Sequence, residues 1–159
     1  MPGRQGAGPR THSMYPNLHT SITSSLESCH PELPFTFQRR DTDKDCIKSY
    51  DTNVMGKFVC NNANCASNGW FSLKIAITIR MYRNWEYNVR VYHQRCRRCN
   101  WVSRPELDEE SYADRVSYRL KKWSGVRGLV RPVYGGESKG PHDRGRCEGC
   151  KAGHCKDSQ

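Results

Sequence analysis

Acidic residues are scarce in this chain: 16 Asp and Glu stand against 26 Lys and Arg, a formal charge of +10 over 159 residues. Apolar residues are scarce too, at 35%. No run of them approaches the roughly 20 residues needed to cross a bilayer. The first thirty residues lack the apolar stretch of a secretory signal. Catalytic signatures are missing as well: no P-loop, Ser/His/Asp set or paired carboxylates stand out. These absences set aside a membrane protein, a secreted disulfide scaffold and an enzyme acting on a small-molecule substrate. The positive excess favours polyanions or acidic proteins as partners. What the chain does have is nine cysteines. Without an export signal they fit metal-bound thiolates in a reducing compartment, so an intracellular location, cytoplasmic or nuclear, is expected.

The densest ligand cluster lies near the C-terminus. From His142 to Cys155, the side chains of His142, Cys147, Cys150, His154 and Cys155 fall within fourteen residues that hold almost nothing apolar. Such a segment cannot fold by burial. Structural zinc takes four Cys or His ligands, often with a CxxC pair, and supplies what a core cannot. Cys147-Glu-Gly-Cys150 makes one knuckle, with Gly149 suited to a tight turn.

Taken in order, residues 1–45 read as a disordered tail. Gly, Pro, Ser, Thr, Arg and His dominate there, and Ile22, Leu26 and Leu33 look too isolated to seed a core. The domain is expected over 46–159, with regular structure from near Asn53. Cys60-Asn-Asn-Ala-Asn-Cys65 has a spacer within the zinc-knuckle range. Phe71, Leu73, Ile75, Ile77, Ile79 and Met81 then alternate with Ser72, Lys74, Ala76, Thr78 and Arg80, predicting one buried and one wet face. Residues 86–94 alternate again. Two adjacent alternating runs predict an antiparallel hairpin, whose return brings Cys96 and Cys99 beside Cys60 and Cys65. A CxxC pair also serves thiol–disulfide exchange, but that chemistry expects one solitary pair in a βαβ setting. Cys29 and Cys46 fall outside the paired spacing and read as free thiols.

After Cys99 the period changes to that of a helix. Asp108 can cap it, Glu109 and Glu110 suit its positive end, and Gly125 ends it. Ala113, Val116, Leu120 and Trp123 form a stripe expected to pack on the hairpin. Residues 126–141 read as a Gly/Pro-rich link. The fold expected is a small α+β zinc-stapled domain: an antiparallel hairpin or sheet, one packed helix, two structural zinc sites and a disordered N-terminal tail.

Three ordered motifs, Phe58-Val-Cys60…Cys65…Trp70-Phe-Ser, Gln94-Arg-Cys-Arg-Arg-Cys99 and Pro141-His…Cys147-Glu-Gly-Cys150…Gly153-His-Cys155, resemble the 3CxxC-type zinc fingers. That family includes receptor-transporting proteins, zygote arrest proteins and many fungal proteins, and Pro105-Glu-Leu-Asp-Glu with Trp123 is most similar to the fungal members. Two departures stand out: the first pair is CxxxxC where the family has CxxC, and the membrane-spanning tail of the receptor-transporting proteins has no counterpart. The resemblance implies eight ligands and two zinc ions. Cys60, Cys65, Cys96 and Cys99 are assigned to the first site, and His142, Cys147, Cys150 and Cys155 to the second, with His154 as the rival ligand. An interleaved pairing, in which Cys147 and Cys150 join an upstream pair, fits the same spacing. With seven thiolates and two Zn²⁺ the net charge becomes about +7. The second site is expected to order only the tail beyond about residue 126.

Two binding roles follow from these features. Arg80, Arg83, Arg90 and Arg95 are interleaved with Trp85, Tyr92 and Trp101 along the second strand and its knuckle. Arginine pairs with phosphate and aromatic rings stack on unpaired bases, so this mixture suits RNA, as the zygote arrest branch also suggests. The alternative is an adaptor or escort that binds membrane or other protein partners, as in receptor-transporting proteins.

Overall fold

The structure is a computed structural model and describes residues 10–133 and 142–155. In chain order it contains β1 (His12–Ser13), a 3-10 turn (Pro16–Leu18), α1 (His19–Glu27), β2 (Thr36–Phe37), β3 (Cys46–Phe58), β4 (Trp70–Tyr82) and β5 (Glu86–Tyr92). There follow β6 (Gln94–Arg95), β7 (Val102–Ser103), β8 (Pro105–Leu107), α2 (Glu109–Trp123), a 3-10 turn (Arg144–Arg146) and α3 (Glu148–Lys151). The strands β3, β4 and β5 form an antiparallel meander, flanked by β8 on one side and by β1 and β2 on the other. β6 and β7 make a separate two-stranded ribbon. No described helix is long and apolar enough to cross a membrane.

The expected hairpin is therefore two-thirds of a meander. β3 went unread because Lys48, Ser49, Asp51, Thr52 and Asn53 mask its alternation, and it is stabilised by its neighbours rather than by propensity. A bulge also interrupts the pairing: Val54 faces Ile75, but Gly56 faces Ser72, so Met55 stands opposite both Leu73 and Lys74. One extra residue swaps the faces of a strand. Trp70, Ser72, Ile75, Ile77 and Ile79 thus share the core side, while Phe71 is 60% exposed rather than buried.

One face of the sheet buries Val54, Ile75, Ile77, Ile79, Val89 and Val91 against the helices. The stripe Ala113, Val116 and Leu120 of α2 lies there, with Trp123 at its margin. Asp108 caps α2, its Oδ1 accepting the Ser111 N–H at 2.9 Å. The residues just before it, Pro105–Leu107, form β8, which pairs with Gly56–Phe58.

The opposite face, expected to be wet, is covered as well. Ala76, Thr78 and Arg80 are all buried there. Arg80 donates to Asp41 at 2.5 Å and to Asp43 at 3.0 Å, and Arg90 donates to the same Asp41 at 2.7 Å. Asn88 binds the carbonyls of Gln38 and Arg40, fastening that segment over the sheet. Strict alternation reports which residues share a face, not what lies above it.

The covering segment comes from the stretch expected to be a disordered tail. Residues 1–9 lie outside the described residues, but from residue 10 the chain is built into the domain. Leu18, at the end of the 3-10 turn, and Ile22 and Leu26 of α1 recur every four residues and are 5%, 0% and 1% exposed. The helical spacing puts them on one face, packed against α2 and the sheet. Their isolation among Ser and Thr hid a stripe whose partner lies ninety residues away in sequence. Leu33 and Phe35 are buried too, and Phe35 and Phe37 meet Tyr87 edge-on at 6.1 and 5.5 Å. Ile22→Ala should accordingly destabilise the domain by about 2–5 kcal/mol in urea unfolding; an unstructured tail would give no change.

His93 ties the first strand down. Its Nδ1 donates to the Arg10 carbonyl at 2.7 Å, and its Nε2 accepts from the Ser13 hydroxyl at 2.7 Å. Neutral imidazole satisfies both, and burial pushes the His93 pKa down to about 4. The folded state therefore refuses a proton that the unfolded chain takes up near pH 6.5. This contribution is complete above about pH 6.5 and is lost as pH falls toward 4, a loss of about 3 kcal/mol at full protonation. Hydrogen exchange should show the His93 amide, which donates to the Thr11 carbonyl at 2.9 Å, losing protection as pH falls below 6.5. In His93→Gln that pH dependence should vanish.

Candidate metal centres

The sheet delivers the first four thiols to one end. The loop after β3 carries Cys60 and Cys65, and the β6–β7 ribbon carries Cys96 and Cys99 between its strands. Within the ribbon the Cys96 N–H donates to the Trp101 carbonyl at 2.9 Å and the Asn100 N–H to the Cys96 carbonyl at 2.8 Å. Phe58 and Trp70 stack at 4.8 Å just below, fixing where the β3–β4 loop leaves the sheet. Gly69 is required there: with φ at +86°, a Cβ would lie 2.1 Å from the Phe58 carbonyl oxygen.

The resulting geometry is that of a four-ligand metal site. Cys60 and Cys99 Sγ atoms are 3.4 Å apart and those of Cys65 and Cys96 3.9 Å. All four lie within 4.8 Å of one another. A tetrahedron with Zn–S bonds of about 2.3 Å has S···S edges of about 3.8 Å, so the fit is close. Proton affinities agree. Desolvation, joined by the neighbouring thiols, pushes Cys60 up to about 12. At Cys96 desolvation is outweighed by backbone N–H groups of Cys99 and Arg98, which pull it down to about 6. Thiols this crowded cannot all ionise unless a cation sits among them.

The second quartet is His142, Cys147, Cys150 and Cys155, again within 4.8 Å. His142 Nε2 is 3.4 Å from Cys150 Sγ and 3.6 Å from Cys155 Sγ. The sites are sequential, not interleaved. His154 takes no part: its Nδ1 meets Asp51 at 3.1 Å and its ring stacks on Tyr92 at 5.6 Å. It anchors the chain end to β3 and β5. Cys29 and Cys46 also lie outside both quartets.

The second site holds more than a tail, which corrects the expectation above. It lies on the outer face of the sheet, where Ala76, Tyr92, Cys147 and Cys155 form a small core. Cys147 bridges to Gln94, and the Glu148 N–H donates to the His93 carbonyl at 3.1 Å. Glu148 also accepts from Arg95 Nε at 2.5 Å. Gly149 serves contact rather than turning: a Cβ there would meet Ala76 Cβ at 2.4 Å. Of the link over 126–141, residues 126–133 carry no helix or strand, and the rest lies outside the described residues.

The seven side chains expected to meet nucleic acid do not form one surface. Arg80 and Tyr92 are buried, Arg90 is held by Asp41, and Arg95 is held by Glu148. Arg83 and Trp85 are exposed at the β4–β5 turn. Trp101, 42% exposed, sits on the first zinc knuckle, beyond the far end of β5, whose seven residues span roughly 20 Å at about 3.3 Å per residue. Sequence reading passed over Arg144 and Arg146 of the second site, although Arg146 Nη2 donates to the Arg97 carbonyl at 3.3 Å and so joins the two centres. Their position close before Cys147 was the available signal.

Gly149→Ala leaves every ligand in place yet should lift the second site from the sheet. In chelator competition, one of two zinc ions should be released at least tenfold faster than in the wild type. Gly149→Ala with Ala76→Gly should recover much of that loss, because the space removed at one residue is restored at the other.

Thiolate and imidazole donors in closed tetrahedra select zinc among the common divalent ions. No curated protein and no solved structure matches this chain. A family model, the 3CxxC zinc ribbon, described as a zinc-binding domain, matches residues 53–153. That span is more than half of the 159 residues and takes in seven of the eight ligands, the eighth being Cys155 just beyond it. The chain therefore belongs to the 3CxxC zinc-ribbon family, and its two quartets hold two zinc ions.

Proposed function

We propose that this zinc ribbon is a non-catalytic binding module for single-stranded RNA, working in a compartment that keeps thiols reduced. Each metal has four protein ligands, which leaves no position for water or substrate. The binding surface is the rim where the two centres meet, not the strand face. Arg97 and Arg98 project from the first knuckle and Arg144 from the second site, all three exposed. Arg146 is held by Asp143 at 2.6 Å and links the two through its bond to Arg97, a structural rather than a ligand-facing role. Trp101 stands on the same knuckle with its ring accessible. The single observation that carries this reading is the convergence of three exposed arginines from two sites, on a rim that also bears an exposed indole.

The thiolates temper the rim's charge, since a four-thiolate zinc site is net −2. Its negative charge is spread over four sulfurs that are buried or half-buried, however, whereas the guanidinium groups stand in water and reach phosphate bidentately. Stacking on Trp101 adds about 1–3 kcal/mol per base without demanding a sequence.

Fluorescence anisotropy with a labelled single-stranded RNA tests the proposal. Affinity should fall steeply with salt, and Arg97→Gln with Arg144→Gln should flatten the log–log slope by about 0.7 per lost contact. Trp101→Ala should weaken binding at all salt concentrations. Wild-type affinity in the Arg97→Gln, Arg98→Gln, Arg144→Gln variant with both zinc ions retained would contradict it.

A further inference from the structure

The two outer edges of the sheet are treated differently. β5 is capped at both ends, by β1 over Val91 and Tyr92 and by β2 over Glu86 and Tyr87. β3 pairs with β8 only at Gly56–Phe58. Among the described residues, no strand pairs with the outer side of its first nine residues, Cys46–Val54, whose inner side pairs with β4. Arg119 over the Tyr50 ring and Arg115 bonded to Thr52 flank the later part. The beginning is open, with Ile47, Lys48 and Ser49 all exposed. In an antiparallel strand, alternate N–H and C=O groups point away from the existing partner, so an open edge offers them to a new one.

Next to this edge lies a groove of about 330 Å³ whose apolar wall is Phe35, Ile47, Met81, Trp85 and Trp123, with Arg83, Asn84 and Ser124 on its polar side. Ile47 belongs to both features. A bulge between Cys46 and Lys48 leaves its side chain 49% exposed. Trp85 is 44% exposed and held at φ +61°, directly after Asn84 at φ +60°. Left-handed backbone costs a bulky residue about 1–2 kcal/mol, so this indole is presented outward against local strain. Lys44, Lys48, Arg83 and Lys122 surround the feature and are exposed. Of the nearby acids, Asp43 is engaged by Arg80 and Glu86 by Gln38, and Asp45 is exposed, so the basic side chains outnumber the acids left to solvent.

We propose that the outer edge of β3 accepts an extended segment of an acidic partner protein, which adds a strand beside Cys46–Ser49 and seats an apolar side chain in the adjoining groove. Main-chain hydrogen bonds supply the pairing, the groove selects the apolar residue, and the surrounding lysines and Arg83 select acidic neighbours. The same lysines and the bulge disfavour pairing with a second copy of this basic chain. This surface is at the opposite end of the sheet from the arginine rim, so the inference stands or falls independently of RNA binding.

A phage-displayed library of 12-residue random peptides, panned on the zinc-loaded protein, tests it. Sequences alternating apolar residues with Asp or Glu should be enriched, and Ile47→Glu should reduce capture on the order of tenfold or more. A selected peptide N-methylated at alternate residues, which keeps its side chains but cannot pair, should lose affinity by a similar factor. Ile47→Glu should leave zinc content and RNA affinity unchanged. Absence of enrichment, enrichment of basic peptides, or full binding by the N-methylated peptide would overturn the proposal. So would a concentration-dependent dimer abolished by Ile47→Glu, which would assign the edge to a second copy.

Discussion

Everything else in this domain depends on the cross-link that four thiolates make at one end of the meander. The β3–β4 loop supplies two sulfurs and the ribbon after β5 supplies the other two. One ion thus closes the sheet across three consecutive strands, which a short chain with 35% apolar residues could not easily secure by burial alone. Structural zinc contributes on the order of 10 kcal/mol to modules of this kind, comparable with the whole net stability of a domain.

The second centre uses the sheet as its foundation. Gly149 lies flat on Ala76, His154 on Tyr92, and Glu148 is fixed by Arg95. Together with the segment around Asp41, it covers a face that amphipathic reading leaves to water. The arginines of that face are consequently structural. Arg80 is 1% exposed and bonded to two carboxylates and Asn88, and losing either side of such a buried pair leaves an uncompensated charge. Charge available to a partner is found instead where the chain turns around metal, at Arg97, Arg98 and Arg144, and at the far end around Lys48 and Arg83.

Sequence spacing made the ligands legible because zinc imposes its geometry locally: CxxC pairs, a His and a Cys within a short basic stretch. The stripe of α2 and its Asp108 cap were legible for the same reason, being set by neighbours within two turns. Three features were not. The packing of Ile22 and Leu26 depends on α2, far away in sequence. The bulge that turns Phe71 outward, Leu73 and Lys74 set against Met55, shows only in the pairing with β3, whose polar residues conceal it. The burial of Arg80 and Arg90 depends on Asp41, in a stretch whose composition resembles a linker. In each case the deciding partner is distant, and no local pattern records it.

The central claim is two closed zinc sites with seven sulfurs and one nitrogen between them. Zinc K-edge X-ray absorption on the purified protein, paired with elemental analysis, tests it directly. The account predicts two ions per chain and an averaged shell of about 3.5 sulfurs near 2.3 Å and about half a nitrogen near 2.0 Å per zinc. One ion per folded chain, or a shell with an oxygen from water, would contradict it.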